Sequence, residues 1–117
     1  MRKFIFILIA ASLLSSCGDD SNSSQPTATT LYISMGSLQC TGGGTSLPEL
    51  ERQLTGAGVP IHSSSCGIDG QARAAVCGTP DGRIAIVEVP ATQVAAALAL
   101  GYAPLSDLPN ATKVACQ

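Results

Sequence analysis

The chain is poor in the residues from which catalytic, metal and nucleic-acid sites are usually built. Tryptophan is absent, aromatic residues make up 3%, charged residues make up 12%, and there is one histidine. Recognition of nucleic acid needs clustered basic side chains. The basic residues beyond the N-terminal pair are instead scattered, at Arg52, Arg73, Arg83 and Lys113. We therefore expect no nucleic-acid partner. The high content of aliphatic residues excludes a largely disordered chain.

The single histidine and the scattered acids form no recognisable catalytic or metal-binding motif. His62 and Cys66 lie in a segment with the pattern of a strand, which would place them about 13 Å apart. The chain has no Cys-x-x-Cys pair of the kind that begins a zinc site, and no Gly-x-Ser-x-Gly motif marks a nucleophilic serine. Glu88 interrupts an apolar run, and we expect it to pair with an arginine across a hairpin or to lie at a solvated edge. The sequence predicts no metal, no cofactor and no catalytic site. The alternative is a small enzyme that uses Glu88 or His62.

The most specific signal lies in the first seventeen residues. Arg2 and Lys3 precede an apolar run from Phe4 to Leu14, which is shorter than the about 20 residues that span a bilayer. The run ends at Leu14, and two small residues, Ser15 and Ser16, and then Cys17 follow it. These are the parts of a secretory signal, and the cysteine at the cleavage position resembles the lipobox of bacterial lipoproteins. The resemblance implies that residues 1–16 are removed and that Cys17 carries a diacylglyceryl thioether and an acylated amino end.

The resemblance also implies a location. A lipid on Cys17 would attach the protein to a bacterial membrane, facing the periplasm. In enterobacterial lipoproteins an aspartate directly after the cysteine favours the inner membrane; Gly18 holds that place here, so we expect the outer membrane. Residues 17–30 are small and polar and would form a flexible tether, and residues 31–117 would form a single domain. A transmembrane anchor and a secretory signal without lipid are the alternative interpretations of the first segment.

The remaining cysteines indicate a disulfide-stapled domain. Four follow the lipidation site, at Cys40, Cys66, Cys77 and Cys116, and an even number in a small exported domain indicates two disulfides. Our preferred pairing joins Cys66 to Cys77, because they are close in sequence, and Cys40 to Cys116. The rival pairing joins Cys40 to Cys66, because parallel strand ends of a βαβ unit lie at one edge of a sheet.

The apolar pattern and the turn signals predict an alternation of strands and helices. Leu31, Ile33 and Met35 alternate with other residues as in a strand. Ser46-Leu-Pro-Glu49 fits a capping box at the start of a helix that glycines 56 and 58 would end. The other predicted elements are a strand at 59–65, a hairpin of 72–77 and 83–89 about a turn at 79–82, a helix from Pro90 to Gly101, a short strand at 102–105 and an irregular tail. In the helix, Ala91, Val94, Ala97 and Leu98 are expected to face inward.

This order predicts an α+β fold in which two helices cover one face of a small, mostly antiparallel sheet. The strand at 83–89 is nearly all apolar, so we expect it at the centre with both faces covered. The split βαβ, or ferredoxin-like, arrangement fits best. Fold class of this kind does not identify a function, because the same arrangement hosts many.

The candidate binding residues lie in loops, which carry function more readily than packed elements. Gly42, Gly43 and Gly44 separate a strand from a helix start, but no Lys-Ser/Thr follows them as in a phosphate-binding loop. Asp69 lies in a second loop, at 67–71, which the predicted topology brings to the same sheet edge. We expect these loops to contact an envelope protein, as part of a non-enzymatic binding or accessory domain. The alternative is an inhibitor or immunity-like factor that acts on an exported enzyme.

Overall fold

The computed structural model describes residues 28–117, so the predicted signal, Cys17 and residues 18–27 of the predicted tether lie outside the described part of the chain. The first strand begins at Ala28, three residues before the predicted start of the domain. The elements, in chain order, are β1 (Ala28–Ser34), α1 (Leu47–Gly56), β2 (Ser63–Ile68), β3 (Arg83–Pro90), α2 (Val94–Ala99), β4 (Ala103–Pro104) and β5 (Thr112–Val114).

The strands form one antiparallel sheet in the order β4-β1-β3-β2-β5. The central strand is β3, which pairs with β1 on one side and β2 on the other. Its side chains alternate between the two faces, as strand geometry requires. Val87 and Val89 belong to one core cluster, and Ile84 and Ile86 belong to another. The prediction of a central strand covered on both faces is therefore confirmed.

The two clusters lie on opposite faces of the sheet. Both helices cover the first face, and the buried residues there are Leu31, Leu54, Val59, Val87, Val89, Ala97 and Tyr102. The second face is covered by the segment after β4, whose Leu108 is buried against Ile84 and Ile86. The structure confirms an α+β fold with two helices, a five-stranded antiparallel sheet and two disulfides.

Helix α1 starts where its cap predicts. The Ser46 side chain accepts a hydrogen bond from the Glu49 N–H, and the inward Leu50 and Leu54 are 4% and 0% exposed. The return half of the capping box is not made, because the Glu49 carboxylate pairs with Arg52. Neither helix within residues 28–117 is long and apolar enough to cross a membrane.

Helix α2 departs from the prediction in its start and in the exposed positions of Ala91 and Leu98, whereas Val94 and Ala97 face the core as predicted. Pro90 ends β3, and a 3₁₀ turn at Ala91–Gln93 precedes the six-residue helix. The extra turn fixes the inward stripe at Val94 and Ala97, which are three residues apart. Leu98 lies outside this stripe and is 43% exposed, so its predicted inward position is wrong.

The predicted hairpin is also wrong, because residues 72–77 form no strand. Both edges of β3 are already paired, with β1 and with β2, so no edge is left for a strand from that segment. The partner before β3 is instead β2, which starts at Ser63 and extends to Ile68, later than predicted. The predicted irregular tail contains β5, which pairs with β2.

Candidate functional site

Two loops meet at one end of the sheet. The first loop is residues 35–46, between β1 and α1, and the second loop is residues 69–82, between β2 and β3. Gln39 lies where they touch: its N–H donates to the Thr79 carbonyl at 2.8 Å, and its carbonyl accepts from the Gly78 N–H at 3.1 Å. A disulfide between Cys40 and Cys77 closes the same contact. The two loops therefore form one connected unit, tied by backbone hydrogen bonds and a covalent bond.

The observed disulfides contradict both pairings expected from the sequence. Cys40 binds Cys77, and Cys66 binds Cys116. Cys66 lies inside β2, opposite Val114 of β5, so strand pairing brings Cys116 to it. Cys77 lies far along the second loop, beside the first loop. Contour distance was the wrong criterion, because the pairing of β2 with β5 sets the partner of Cys66, and the contact between the two loops sets the partner of Cys40.

The three consecutive glycines of the first loop have different structural roles. All of Gly42, Gly43 and Gly44 have positive φ angles, of 66°, 82° and 80°. A Cβ atom on Gly44 would lie 2.2 Å from the Met35 carbonyl oxygen, so this position requires glycine for close packing as well as for φ. A Cβ on Gly42 or Gly43 would meet nothing within 4 Å. These two glycines therefore face open space.

A cleft of about 690 Å³ lies beneath the two loops. Its walls come from the first loop, from Asp81 at the end of the second loop, from β2, from the start of β3 and from Gln117 at the C-terminus. The lining residues include Gly42, Gly43, Gly44, Thr45, Ser46, Cys66, Gly67, Ile68, Asp81 and Arg83. The structure thus brings the predicted loop at 42–45 and the start of the predicted loop at 67–71 to one place.

Asp69 lies at the base of the second loop, where it holds the chain rather than facing solvent. It is 8% exposed. Its carboxylate accepts from both terminal nitrogens of Arg73, at 2.7 and 2.6 Å, and from the Gln71 N–H at 3.0 Å. The hydrogen bonds from the Arg73 side chain lower the pKa of Asp69 below its ordinary value, against the opposing effect of burial. The position makes Asp69 an anchor of the loop and not an exposed contact residue.

Gly82 makes room for this anchor. A Cβ atom at Gly82 would lie 2.6 Å from an Arg73 terminal nitrogen, so only glycine lets the guanidinium lie there. The sequence shows that Asp69 and Arg73 are four residues apart, but only the fold shows that both side chains lie against Gly82.

Asp81 ties the end of the second loop to the first. It accepts from the Ser37 hydroxyl at 2.7 Å and from the Arg83 N–H at 3.0 Å, and its carboxylate lies 3.5 Å from the Arg83 Nε. Burial disfavours the charged form of Asp81. The two hydrogen bonds and the Arg83 charge outweigh burial, so the pKa of Asp81 lies below its ordinary value. The arginines at 73 and 83 thus bind aspartates, and neither forms the cross-hairpin pair expected for Glu88.

Between these anchors, residues 71–76 form an exposed segment, of which the sequence predicts Gln71 as a loop residue but 72–76 as part of a strand. It contains no helix, strand, turn or bend, and every residue in it is exposed. Val76, its most apolar member, is 51% exposed. The alternation expected of a strand is weak in Gln-Ala-Arg-Ala-Ala-Val. The bracketing Gly70 and Gly78, both with positive φ, are the sequence features that could have identified a loop.

His62 and Glu88, the candidates for an enzyme, lie elsewhere on the sheet. His62 is exposed and Glu88 is half-buried, and the His62 N–H donates to the Glu88 carbonyl at 2.8 Å. Within residues 28–117 there is no group of three or more His, Cys, Asp or Glu side chains that could hold a metal ion.

Comparisons with protein-family models, with curated proteins and with solved structures found no match for this chain.

Proposed function

We propose that this protein is a lipid-tethered, non-enzymatic domain of the cell envelope that binds a protein partner through the two-loop surface. We define this surface as residues 38–44 of the first loop and residues 71–76 of the second. The observation that carries the proposal is a combination of apolar exposure and rigidity. Leu38 is 37% exposed and Val76 is 51% exposed, on loops that are joined by the Cys40–Cys77 disulfide.

Rigidity supports a binding role because an ordered surface loses little conformational entropy when a partner docks. The second loop is held at three points. Arg73 binds Asp69 on one side, Cys77 binds Cys40 on the other, and the Gln39 side chain donates to the Ala74 carbonyl between them, at 3.0 Å. These three contacts keep the exposed loop in one conformation, as a binding surface requires.

The tether rests on the sequence of the first seventeen residues, and two disulfides support an exported, oxidising location. We expect Cys17→Ala to remain uncleaved by the lipoprotein peptidase and unlabelled by radioactive palmitate. Continued labelling of that variant would defeat the lipoprotein interpretation. Flotation of labelled membranes tests the outer membrane against the inner.

We also infer that β1 to β4 with the two helices form the split βαβ, or ferredoxin-like, arrangement, extended by β5 at one edge. The support is that α1 connects β1 to β2, that α2 connects β3 to β4, and that β3 lies between β1 and β2. Because this arrangement serves many functions, the functional proposal depends on the two-loop surface and not on the fold.

The test is photo-cross-linking in live cells with matched surface variants. Val76→Asp places a charge in the two-loop surface. Leu100→Asp is its control, because Leu100 is also apolar and 42% exposed but lies beyond α2. We expect Val76→Asp to abolish capture of a specific partner and Leu100→Asp to leave it intact, with equal melting temperatures. Equal capture by both variants would refute the two-loop surface as the interface.

A further inference from the structure

We propose that the partner is an exported endopeptidase with a small primary specificity pocket, and that residues 72–76 occupy its substrate cleft as an inhibitory segment centred on Ala75. This inference rests on the proposed function and names its partner by chemistry. Endopeptidases bind substrates as extended chains, largely through main-chain hydrogen bonds of the kind that add a strand to a sheet. The segment must therefore be extended, and its backbone must be free.

The backbone of this segment meets both requirements. It runs without a turn or a bend, and none of its residues has a positive φ. Among the described residues, the N–H groups of residues 72–76 have no hydrogen-bond partner within the protein, and neither do the carbonyls of Ala72, Arg73 and Ala75. An enzyme could pair with these groups without first breaking internal hydrogen bonds.

Three carbonyls of the segment are free, those of Ala72, Arg73 and Ala75, and Ala75 is the one with a held carbonyl on each side. The Ala74 carbonyl accepts from the Gln39 side chain at 3.0 Å. The Val76 carbonyl accepts from the Thr79 N–H at 3.2 Å and from the Thr79 hydroxyl at 2.6 Å. Both flanking carbonyls are thus held by the protein, and the Ala75 carbonyl between them is free. The carbonyl that enters an oxyanion hole must be free, and we assign this place to Ala75 because the hydrogen bonds to both neighbouring carbonyls hold it in position. The bond presented to the enzyme is then Ala75–Val76.

The side chains define the class of enzyme. The methyl groups of Ala74 and Ala75 fit a small specificity pocket of the elastase type, whereas a trypsin-type pocket requires a basic side chain. Arg73 would suit the latter pocket, but its guanidinium is bound to Asp69 by two hydrogen bonds. The alanine side chains are therefore available to an enzyme pocket, and the Arg73 side chain is not.

The anchors explain why the segment would inhibit instead of being consumed. Hydrolysis of the Ala75–Val76 amide would add water and leave an Ala75 carboxylate and a Val76 amine. The Cys77–Cys40 disulfide keeps the new amine in place, and the Arg73–Asp69 pair keeps the new carboxylate close. Because neither end departs, the amide can re-form, and the non-covalent complex of the intact segment persists. A preorganised segment also binds with a smaller entropy cost than a flexible substrate.

The test uses the full chain in detergent, with pancreatic elastase and trypsin as probe enzymes. Wild type should inhibit elastase and not trypsin. Ala75→Arg should weaken elastase inhibition by at least about 100-fold and create trypsin inhibition, because the pocket reads this one side chain. Ala72→Arg is the matched control: it adds the same charge to the same exposed segment and should not create trypsin inhibition. Absence of elastase inhibition by wild type together with absence of trypsin inhibition by Ala75→Arg would overturn the proposal.

A second comparison separates an inhibitor from a substrate. Removal of the tie by Cys40→Ala with Cys77→Ala should turn the segment into a substrate that elastase cuts after Ala75 at least about 10-fold faster than in wild type. Rapid cleavage of wild type with no inhibition would also overturn the proposal. If inhibition fails while partner capture still depends on Val76, this inference is wrong and the proposed binding surface stands; if capture is also independent of Val76, both are wrong.

Discussion

Replacement of Asp69 by asparagine should release the start of the second loop and expose Arg73 to trypsin. In wild type the Asp69 carboxylate accepts three hydrogen bonds and is 8% exposed. Hydrogen bonds to charged groups contribute about 1.5–3 kcal/mol when buried, and exposed ion pairs contribute about 0–1 kcal/mol. We therefore expect loss of the Asp69 charge to lower the free energy of local opening by about 1–2 kcal/mol. This corresponds to a population of the open loop that rises about 5- to 30-fold.

The assay is timed trypsin digestion at low enzyme concentration, where the cleavage rate follows the open population. Cleavage after Arg73 is read by mass spectrometry after reduction, because the Cys40–Cys77 disulfide would otherwise hold the pieces together. Glu49→Gln is the control: it removes the Arg52–Glu49 pair, whose side chains are 73% and 46% exposed, and should not change cleavage after Arg73. The anchoring role is refuted if wild type and Asp69→Asn are cut after Arg73 at the same rate.

Three further predictions concern stability, each measured by urea unfolding. Leu54→Ala should lower the free energy of unfolding by about 2–5 kcal/mol, because it truncates a core side chain. Leu98→Ala should lower it by about 0.5 kcal/mol or less, because Leu98 is 43% exposed. Equal losses for the two variants would contradict the packing of the helices. Gly44→Ala should cost more than about 2 kcal/mol, from positive φ and the clash with the Met35 carbonyl, whereas Gly43→Ala should cost about 1–2 kcal/mol from φ alone. The pKa of Asp69 is lower in the folded state, so its charge contributes fully to the free energy of unfolding above about pH 4, and this contribution is lost as the pH falls through the folded pKa. The difference in the free energy of unfolding between wild type and Asp69→Asn should therefore narrow at pH 2.5. A difference that stays constant would show that the charge does not stabilise the loop.

Several elements could be predicted from short stretches of sequence because their causes are local. The start of α1 depends on the Ser46 side chain and the Glu49 N–H, which are three residues apart, and its buried face follows from the spacing of Leu50 and Leu54. The central position of β3 follows from an apolar run that must be covered on both faces. The number of disulfides follows from the even number of cysteines in this small domain.

The candidate site could be predicted only in part. Gly42 and Gly43 were identified correctly as loop residues, because glycine triplets are turn signals at any position in a fold. Asp69 was identified as a loop residue, but its role changed: its carboxylate is occupied by Arg73 and Gln71, a fact that depends on side-chain positions. Residues 72–76 of the exposed segment belong to a predicted strand at 72–77, because apolar composition alone does not show whether a sheet edge is available to pair with them.

The sequence by itself determined the α+β class, the start of α1 and the number of disulfides, because each of these depends on neighbouring residues or on composition. Tertiary structure decided which cysteines pair, which edges of β3 are filled and which loops meet. These are relations between residues far apart in the chain, such as Cys66 and Cys116, which are 50 residues apart. They are fixed by strand pairing, because β5 joins β2 only once the sheet exists. The two-loop surface is such a relation, since neither loop alone supplies both the exposed segment and the ties that hold it.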